Sequence, residues 1–172
     1  MGITQVYTGD GKGKTTAAVG QAIRAASAGY RVLFVFFNKS EDEEYGEDRM
    51  MKKIGIECKF FASRHPSFYP EITAEQVKKE TMEGLGYVID KFSAGKYDII
   101  IMDEILISVR DGFIEEEDLL NVLNSRPENI DLVLTGRGAT ESIQKSADTV
   151  SNIQQIKHHY QAGNSWRKGI EK

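Results

Sequence analysis

Apolar residues fall in short runs along this chain, and longer stretches with mixed polarity separate the runs. Residues 32–37 are apolar at every position, as in a strand that is buried on both faces of a parallel sheet. Residues 99–102 and 132–134 show the same pattern, and residues 3–7 form a strand-like segment at the start of the chain. The pattern predicts four β-strands of a mostly parallel sheet.

Three of the intervening stretches carry helix signals. Residues 14–28 are rich in small side chains, which let a helix pack closely on a sheet. Residues 74–92 follow a capping box made by Thr73 and Gln76. Residues 115–124 begin with acidic side chains, which favour the positive end of the helix dipole. The apolar stripe predicted for the second helix consists of Val77, Leu85, Val88, Ile89 and Phe92.

The order of these elements predicts the fold class. Strands that alternate with helices give an α/β fold in which right-handed crossovers place helices on both faces of the sheet. The chain has 172 residues, which is typical of one domain, and we expect residues 1–172 to form a single unit. A hydrophobic content of 40% and a charged content of 28% are those of an ordinary globular protein.

A glycine-rich segment joins the first predicted strand to the first predicted helix. Gly9, Gly11 and Gly13 let consecutive backbone N–H groups point at one anion, and the helix start adds its positive dipole. Lys14 supplies a full charge to distal phosphates, and the hydroxyl of Thr15 suits Mg²⁺. A glycine-rich turn without a ligand is the alternative. The flanking strand and helix favour a phosphate-binding loop, and hence a three-layer P-loop NTPase-like fold.

Polar residues follow the carboxyl ends of the other predicted strands, where open parallel sheets bind their ligands. Asn38 and Lys39 follow the second strand, Asp103 and Glu104 follow the third, and Arg137 follows the fourth. We therefore expect these residues and the glycine-rich loop to meet at one edge of the molecule.

Each of these charged residues allows two interpretations. Asp103 and Glu104 resemble a strand end that holds Mg²⁺ directly or through water, with Glu104 the preferred ligand, or they are an acidic pair that begins a helix. Arg137 lies between two glycines and either reaches a phosphate chain or is a surface side chain after a turn. Lys12, inside the loop, either covers the phosphates or points to solvent.

Composition argues against several other functions. The net charge of −4 argues against a protein held on nucleic acid by a basic face. Residues 32–37 are the longest apolar run and are too short to cross a bilayer, so we expect a cytoplasmic protein without a membrane partner. The single cysteine, Cys58, fits a reducing compartment and core packing. His65, His158 and His159 are not spaced as zinc ligands.

The stretch 38–48 is strongly acidic. A charge run of this kind predicts a solvated, mobile loop, and a cation site is the alternative.

The chain resembles the P-loop ATP:corrinoid adenosyltransferases, which are also called the cob(I)alamin adenosyltransferase family. The loop alone identifies only a superfamily, whereas its combination with a Leu-Thr-Gly-Arg strand end and a Lys-Gly-Ile-Glu tail is much more specific. The matches follow the family's order and cover nearly the whole chain. They are residues 7–18, Asp103-Glu104, residues 134–137, Ala147-Asp148, Lys157-His158 and Lys168-Gly169-Ile170-Glu171.

The resemblance implies transfer of the 5′-deoxyadenosyl group of ATP to the cobalt of a reduced corrinoid, with release of triphosphate. Cobalt(I) attacks C5′ directly, so no general base is required, and none stands out in the sequence. Lys14 and Arg137 are the implied catalytic residues, and Thr15, Glu104 and Asp103 are the implied Mg²⁺ site. The implied nucleotide-binding residues are Thr8, Gly9, Asp10, Gly11, Lys12, Gly13, Lys14, Thr15, Thr16 and Arg137.

The resemblance also implies partners. They are a corrinoid substrate, a flavoprotein reductant and a second copy of the chain in a homodimer. ATP is the co-substrate and Mg²⁺ the metal ion.

The middle of the chain departs from the family's pattern. Relatives carry an aromatic Phe-Thr-Trp element that helps exclude the lower ligand of the corrinoid, whereas residues 60–69 read FFASRHPSFY. His65, Phe68 and Tyr69 either form an altered corrinoid-binding face or are core and loop residues. A divergent P-loop NTPase and a nucleotide-dependent corrinoid-binding protein without adenosyl transfer are therefore alternatives. A cavity that joins Phe68 and Tyr69 to the glycine-rich loop would favour adenosyl transfer.

Overall fold

Six parallel strands form one sheet in the computed structural model, which describes residues 1–41, 46–158, 163, 167, 169 and 170. The strands are β1 (Thr4–Thr8), β2 (Val32–Phe37), β3 (Glu57–Phe61), β4 (Ile99–Asp103), β5 (Asp131–Thr135) and β6 (Thr149–Asn152). The helices are α1 (Lys14–Ser27), α2 (Gly46–Lys53), α3 (Ala74–Ser93), α4 (Ile105–Arg110), α5 (Glu116–Ser125) and α6 (Glu141–Lys145). The strand order is β3-β2-β4-β5-β1-β6, and each neighbouring pair of strands is parallel.

Helices cover both faces of this sheet, which confirms the predicted α/β fold. Every residue of β2 is buried, as its all-apolar sequence predicts. Because successive side chains of a strand point to opposite faces, Val35 packs in a cluster that contains Leu119 of α5, whereas Phe34 packs in a cluster that contains Ala18 of α1. The sheet therefore lies between two apolar layers.

Helix α3 begins with the predicted capping box. The Gln76 backbone N–H donates to Thr73 Oγ1 at 3.2 Å, and the Thr73 N–H donates to Gln76 Oε1 at 2.8 Å. The predicted stripe is wrong at Ile89, which is 40% exposed and lies at the edge of the buried face, about 100° around the helix from Val88. Gly84 faces inward, since a Cβ there would lie 2.6 Å from the ring of Phe37.

The acidic stretch 38–48 is only partly a loop. Helix α2 begins at Gly46, and Glu47 and Asp48 occupy its first turn, where the helix dipole favours negative charge. Asp48 also pairs with Lys52 one turn later at 3.2 Å. The prediction of a mobile loop is therefore wrong for residues 46–48, and residues 42–45 lie outside the described part of the chain.

The cysteine lies in a strand that the sequence analysis did not assign. Cys58, in β3, is 8% exposed and packs in the same apolar cluster as α1 and α2, which confirms the predicted core position. Burial raises the pKa of its thiol to about 12. None of the described helices combines the length and hydropathy that crossing a bilayer requires.

Glu57 is the first residue of the edge strand β3, and its carboxylate accepts hydrogen bonds from three donors. Lys96 Nζ donates at 2.7 Å, the Tyr97 hydroxyl at 2.6 Å and the Tyr87 hydroxyl at 3.3 Å. The Lys96 and Tyr97 bonds lower the pKa of Glu57 from 4.5 to about 2. A carboxyl whose pKa is lower in the folded state stabilises the fold above its unfolded pKa and loses that contribution as the pH falls towards its folded pKa.

We expect Glu57→Gln to lower the free energy of unfolding by about 1 kcal/mol at about pH 7, since solvent screens this partly exposed carboxylate. The difference from wild type should be smaller at about pH 3, where the wild-type contribution is itself partly lost. Urea unfolding at both pH values tests this, with Glu83→Gln on the exposed face of α3 as the control. An equal loss at both pH values would contradict the assignment.

Candidate functional site

The loops after the six strands enclose one cleft of about 1380 Å³ at the carboxyl edge of the sheet. Thr8, Gly9 and Asp103 do not form part of its surface. Most of the site residues predicted from sequence are therefore brought together here, including the residues from the middle of the chain. The predicted residues that line the cleft are Asp10, Gly11, Lys12, Gly13, Lys14, Thr15, Thr16, His65, Phe68, Tyr69, Glu104 and Arg137.

The loop between β1 and α1 curls around the Lys14 side chain. Gly13 has a φ of +124°, and a Cβ at this position would meet no atom within 4 Å, so its outer side is open. Lys14 is 7% exposed, and its Nζ donates to the carbonyls of Gly9 at 2.7 Å and Gly11 at 2.8 Å. Burial lowers the pKa of Lys14, while the Glu104 carboxylate acts in the opposite direction. A cation held by two neutral carbonyls can exchange them for a more basic anion.

The chain after β6 supports this loop from behind. The Gly11 N–H donates to the Ile153 carbonyl at 2.7 Å. A Cβ on Gly11 would lie 2.6 Å from the Gln154 carbonyl, and one on Gly9 would overlap the Asn152 side chain. These two glycines are thus required for close approach of two backbones as well as for the curl.

Thr8 stands where the common form of this loop has glycine, and its side chain has a structural contact. Its Oγ1 accepts the Ala139 backbone N–H at 3.2 Å. The contact ties the end of β1 to the loop that follows β5.

Arg137 is carried into the cleft by the turn after β5. Gly136 has a φ of +138°, and a Cβ there would lie 2.8 Å from Leu106 Cβ, so only glycine lets this turn pass α4 so closely. The Arg137 side chain is exposed and lines the cleft. Its charge adds to the effect of burial in lowering the pKa of Lys14. Two cations therefore act on the same part of the cleft.

Asp103 and Glu104 are adjacent in sequence but differ in environment. Asp103 is completely buried, and its two oxygens accept the Thr135 hydroxyl at 2.7 Å and Lys39 Nζ at 2.9 Å. Glu104 lines the cleft, and its side chain makes no capping hydrogen bond to α4. Burial raises the pKa of Glu104, and the charge of Asp103 adds to this effect. Glu104 is therefore the carboxylate of the pair that a ligand in the cleft can reach.

The opposite wall consists of residues 63–69, which are fixed by His65. The Ser67 N–H donates to His65 Nδ1 at 3.1 Å, so Nδ1 carries no proton and Nε2 donates to Asp111 at 2.9 Å. The His65 ring also meets the edge of Phe113, with centroids 5.2 Å apart. Both ring nitrogens are therefore hydrogen-bonded, one to Ser67 in the same segment and the other to Asp111.

Two aromatic rings follow in the same segment. Phe68 is 80% exposed and lines the cleft, so it is not a core residue. Tyr69 also lines the cleft and has the Arg64 guanidinium 5.0 Å above its ring centroid. The segment thus presents an apolar surface with a cation beside it to the cavity that the glycine-rich loop faces.

Sequence analysis missed the contribution of α4 and the residues after it. Helix α4 has only six residues and follows the apolar β4 almost directly, so no helical periodicity separates the two. The one available signal was the charged pair Arg110-Asp111 next to Gly112. The missed residues that line the cleft are Ile107, Arg110, Asp111 and Phe113.

The C-terminal matches to the family are only partly described. His158 and Ile170 line the cleft. His159, Lys168 and Glu171 lie outside the described residues.

Comparison with known proteins agrees with this arrangement. The sequence profile of the family described as ATP:corrinoid adenosyltransferase BtuR/CobO/CobP matches residues 1–171. The corrinoid adenosyltransferase of Escherichia coli is 32% identical over 170 residues, which cover 99% of this chain and 85% of the relative. The corrinoid adenosyltransferase CobA of Salmonella typhimurium is 32% identical, with the same coverage. The corrinoid adenosyltransferase of Pseudomonas aeruginosa is 29% identical and covers 99% of this chain and 83% of the relative. The chain therefore belongs to the ATP:corrinoid adenosyltransferase family.

Proposed function

We propose that this protein transfers the 5′-deoxyadenosyl group of ATP to the cobalt of a reduced corrinoid and releases triphosphate. The observation that carries the proposal is the cleft that joins a phosphate-binding loop to an exposed aromatic wall. Membership of the family and the names of the relatives support ATP and a corrinoid as the two substrates. A divergent NTPase or a non-catalytic corrinoid-binding protein is not favoured by these matches.

The reaction does not require the protein to act as a general acid or base. The cobalt(I) electron pair forms the bond to C5′, the C5′–O5′ bond breaks, and its electrons leave on triphosphate, so no proton is removed. The remaining tasks are to align the two substrates and to stabilise the charge of the leaving group. Lys14 and Arg137 are the proposed catalytic residues, because both cations lie where a triphosphate in the loop would carry its charge.

The glycine-rich loop is the proposed triphosphate site. Its backbone N–H groups and the N-terminus of α1 suit a polyanion, and Lys14 would exchange its two carbonyl partners for phosphate oxygens. Residues 8–16 together with Arg137 form the proposed nucleotide-binding set.

The cleft also has suitable groups for Mg²⁺. The Thr15 hydroxyl and the Glu104 carboxylate line it together, and oxygen donors are those that Mg²⁺ prefers. Within the described residues no three His, Cys, Asp or Glu side chains form a metal-binding group, so phosphate oxygens and water would complete the shell. Bound Mg²⁺ would supply further neutralisation of the leaving group. Asp103 accepts hydrogen bonds from Thr135 and Lys39, so it would contribute to the metal site indirectly, from the buried side of Glu104.

Residues 63–69 are the proposed corrinoid-binding wall. Phe68 and Tyr69 present apolar surface to a flat macrocycle, and His65 holds the segment in place through Asp111 and Ser67. The wall replaces the Phe-Thr-Trp element of relatives with different aromatic residues at the same region of the chain.

We expect Phe68→Ala to raise the KM for the corrinoid about 10-fold to 100-fold, because an exposed phenyl ring would become buried on substrate binding. The KM for ATP should stay within about twofold, since the ring lies on the wall opposite the glycine-rich loop. Steady-state kinetics with each substrate varied in turn test this. Tyr30→Ala removes an exposed aromatic ring outside the cleft and is the matched control. An unchanged corrinoid KM would reject the proposed wall.

One anaerobic assay tests the proposed reaction. The protein is mixed with MgATP and chemically reduced cobalamin, and the absorption spectrum is followed for adenosylcobalamin. Stoichiometric triphosphate is the expected second product. Release of ADP and phosphate without a cobalt–carbon bond would support an NTPase instead.

We further propose that residues 1–172 act as one domain within a cytoplasmic homodimer that receives its reduced corrinoid from a flavoprotein reductant. Family resemblance supports this proposal, and the buried thiol of Cys58 agrees with a reducing compartment. Analytical ultracentrifugation tests the dimer.

A further inference from the structure

Lys39 lies between two carboxylates at the surface of the cleft. Its Nζ lies 2.9 Å from Asp103 Oδ2 and 3.6 Å from Glu47 Oε1, and 5.0 Å from the centroid of the Phe36 ring. The side chain is 15% exposed and lines the cleft. The ammonium group therefore lies within ion-pair distance of two carboxylates.

Three hydrogen bonds connect this ammonium to the Glu104 backbone through Asp103 and Thr135. Lys39 donates to Asp103 Oδ2, the Thr135 hydroxyl donates to Asp103 Oδ1, and the Glu104 N–H donates to Thr135 Oγ1 at 2.9 Å. A threonine hydroxyl has one proton, so donation to Asp103 leaves its oxygen free to accept from Glu104. The Asp103 carboxylate accepts from both Lys39 and Thr135, so it fixes the Thr135 hydroxyl proton and leaves the hydroxyl oxygen to accept from Glu104.

These hydrogen bonds end at Glu104, whose backbone conformation is unfavourable and depends on its contacts. Glu104 has a φ of +65°, a left-handed conformation that is unfavourable for a residue other than glycine. This conformation separates β4 from α4 and carries the Glu104 side chain into the cleft. The hydrogen bond to Thr135 Oγ1 holds the Glu104 N–H.

We propose that Lys39 is a positioning residue for Glu104, acting through Asp103 and Thr135. The buried Asp103 carboxylate needs a partner cation, because an uncompensated charge in the interior is strongly destabilising. With Lys39 in place Asp103 fixes the Thr135 hydroxyl, and that hydroxyl fixes the Glu104 backbone. The proposal rests on the proposed function only in that it takes Glu104 as a ligand of the divalent cation.

Mn²⁺ binding measured by electron paramagnetic resonance with ATP present tests the proposal without any corrinoid. We expect Lys39→Met to weaken Mn²⁺ affinity about tenfold. Losses of this size are at the lower end of those seen when a residue that orients a metal ligand is replaced. ATP binding measured by calorimetry in EDTA should change less than about twofold. Lys39→Arg keeps the cation and should retain most of the Mn²⁺ affinity. Lys52→Met removes a lysine that pairs with acidic residues outside the cleft and is the matched control.

A double variant separates positioning from general damage to the fold. Lys39→Met combined with Asp103→Asn removes the uncompensated charge, so Mn²⁺ affinity should recover part of the loss seen in the single variant. Unchanged Mn²⁺ affinity in Lys39→Met would overturn the proposal. So would a loss of ATP affinity in EDTA as large as the loss for Mn²⁺, because Lys39 would then bind phosphate directly. Absence of adenosylcobalamin from the wild-type assay would reject the proposed function and leave these binding results interpretable.

Discussion

Lys14→Ala should lower kcat/KM for adenosyl transfer by about 10³-fold or more. Lys14 is the one described cation enclosed by the glycine-rich loop, where it bonds to the carbonyls of Gly9 and Gly11. The variant keeps the backbone N–H groups but loses the full charge that would stabilise the triphosphate as it leaves. A charge of this kind acts in a partly buried site, where electrostatic interactions are stronger than in water. The initial rate of adenosylcobalamin formation under anaerobic conditions measures the loss.

Two controls separate loss of charge from loss of fold. Lys79→Ala removes an exposed lysine on α3, whose side chain is 78% accessible, and should leave the rate unchanged. Thermal unfolding of Lys14→Ala shows whether the variant stays folded after it loses its contacts to the Gly9 and Gly11 carbonyls. Near-normal transfer by a folded Lys14→Ala protein would reject the role of the loop in catalysis.

The elements that could be predicted from sequence are those whose signals are local. β2 is apolar at all six positions and must be buried wherever it lies. The Thr73–Gln76 capping box marks the start of α3 in the sequence itself. β6 has no such signal, because its four residues are largely exposed and become a strand only by pairing with β1. Helix α4 is separated from β4 by the left-handed backbone of Glu104, which no residue pattern reveals.

The same distinction applies to the candidate site. The meeting of the glycine-rich loop with the polar strand ends was predictable, because the carboxyl ends of all strands in a parallel sheet lie at one edge. The contacts that complete the site join distant parts of the chain. His65 pairs with Asp111 across 46 positions, and Thr8 pairs with Ala139 across 131. Neither pairing follows from spacing or composition, since each depends on how the loops pack.

Glu104→Gln should lower the rate at saturating ATP about 100-fold and weaken Mn²⁺ affinity by at least as much as Lys39→Met does. Glutamine has nearly the same shape and keeps the backbone bond to Thr135, so the change removes negative charge and little else. An amide oxygen is a weaker ligand for a hard cation than a carboxylate. Titration of the rate with Mg²⁺ should show a higher half-saturating concentration.

The matched control is Glu57→Gln, which also neutralises a hydrogen-bonded and partly buried glutamate but lies outside the cleft. It should reduce stability without changing the Mg²⁺ requirement. A larger fall in metal affinity for Asp103→Asn than for Glu104→Gln would instead make Asp103 the direct ligand. That result would require Lys39 to leave Asp103 when nucleotide binds, so the ranking of the two variants decides which carboxylate meets the metal ion.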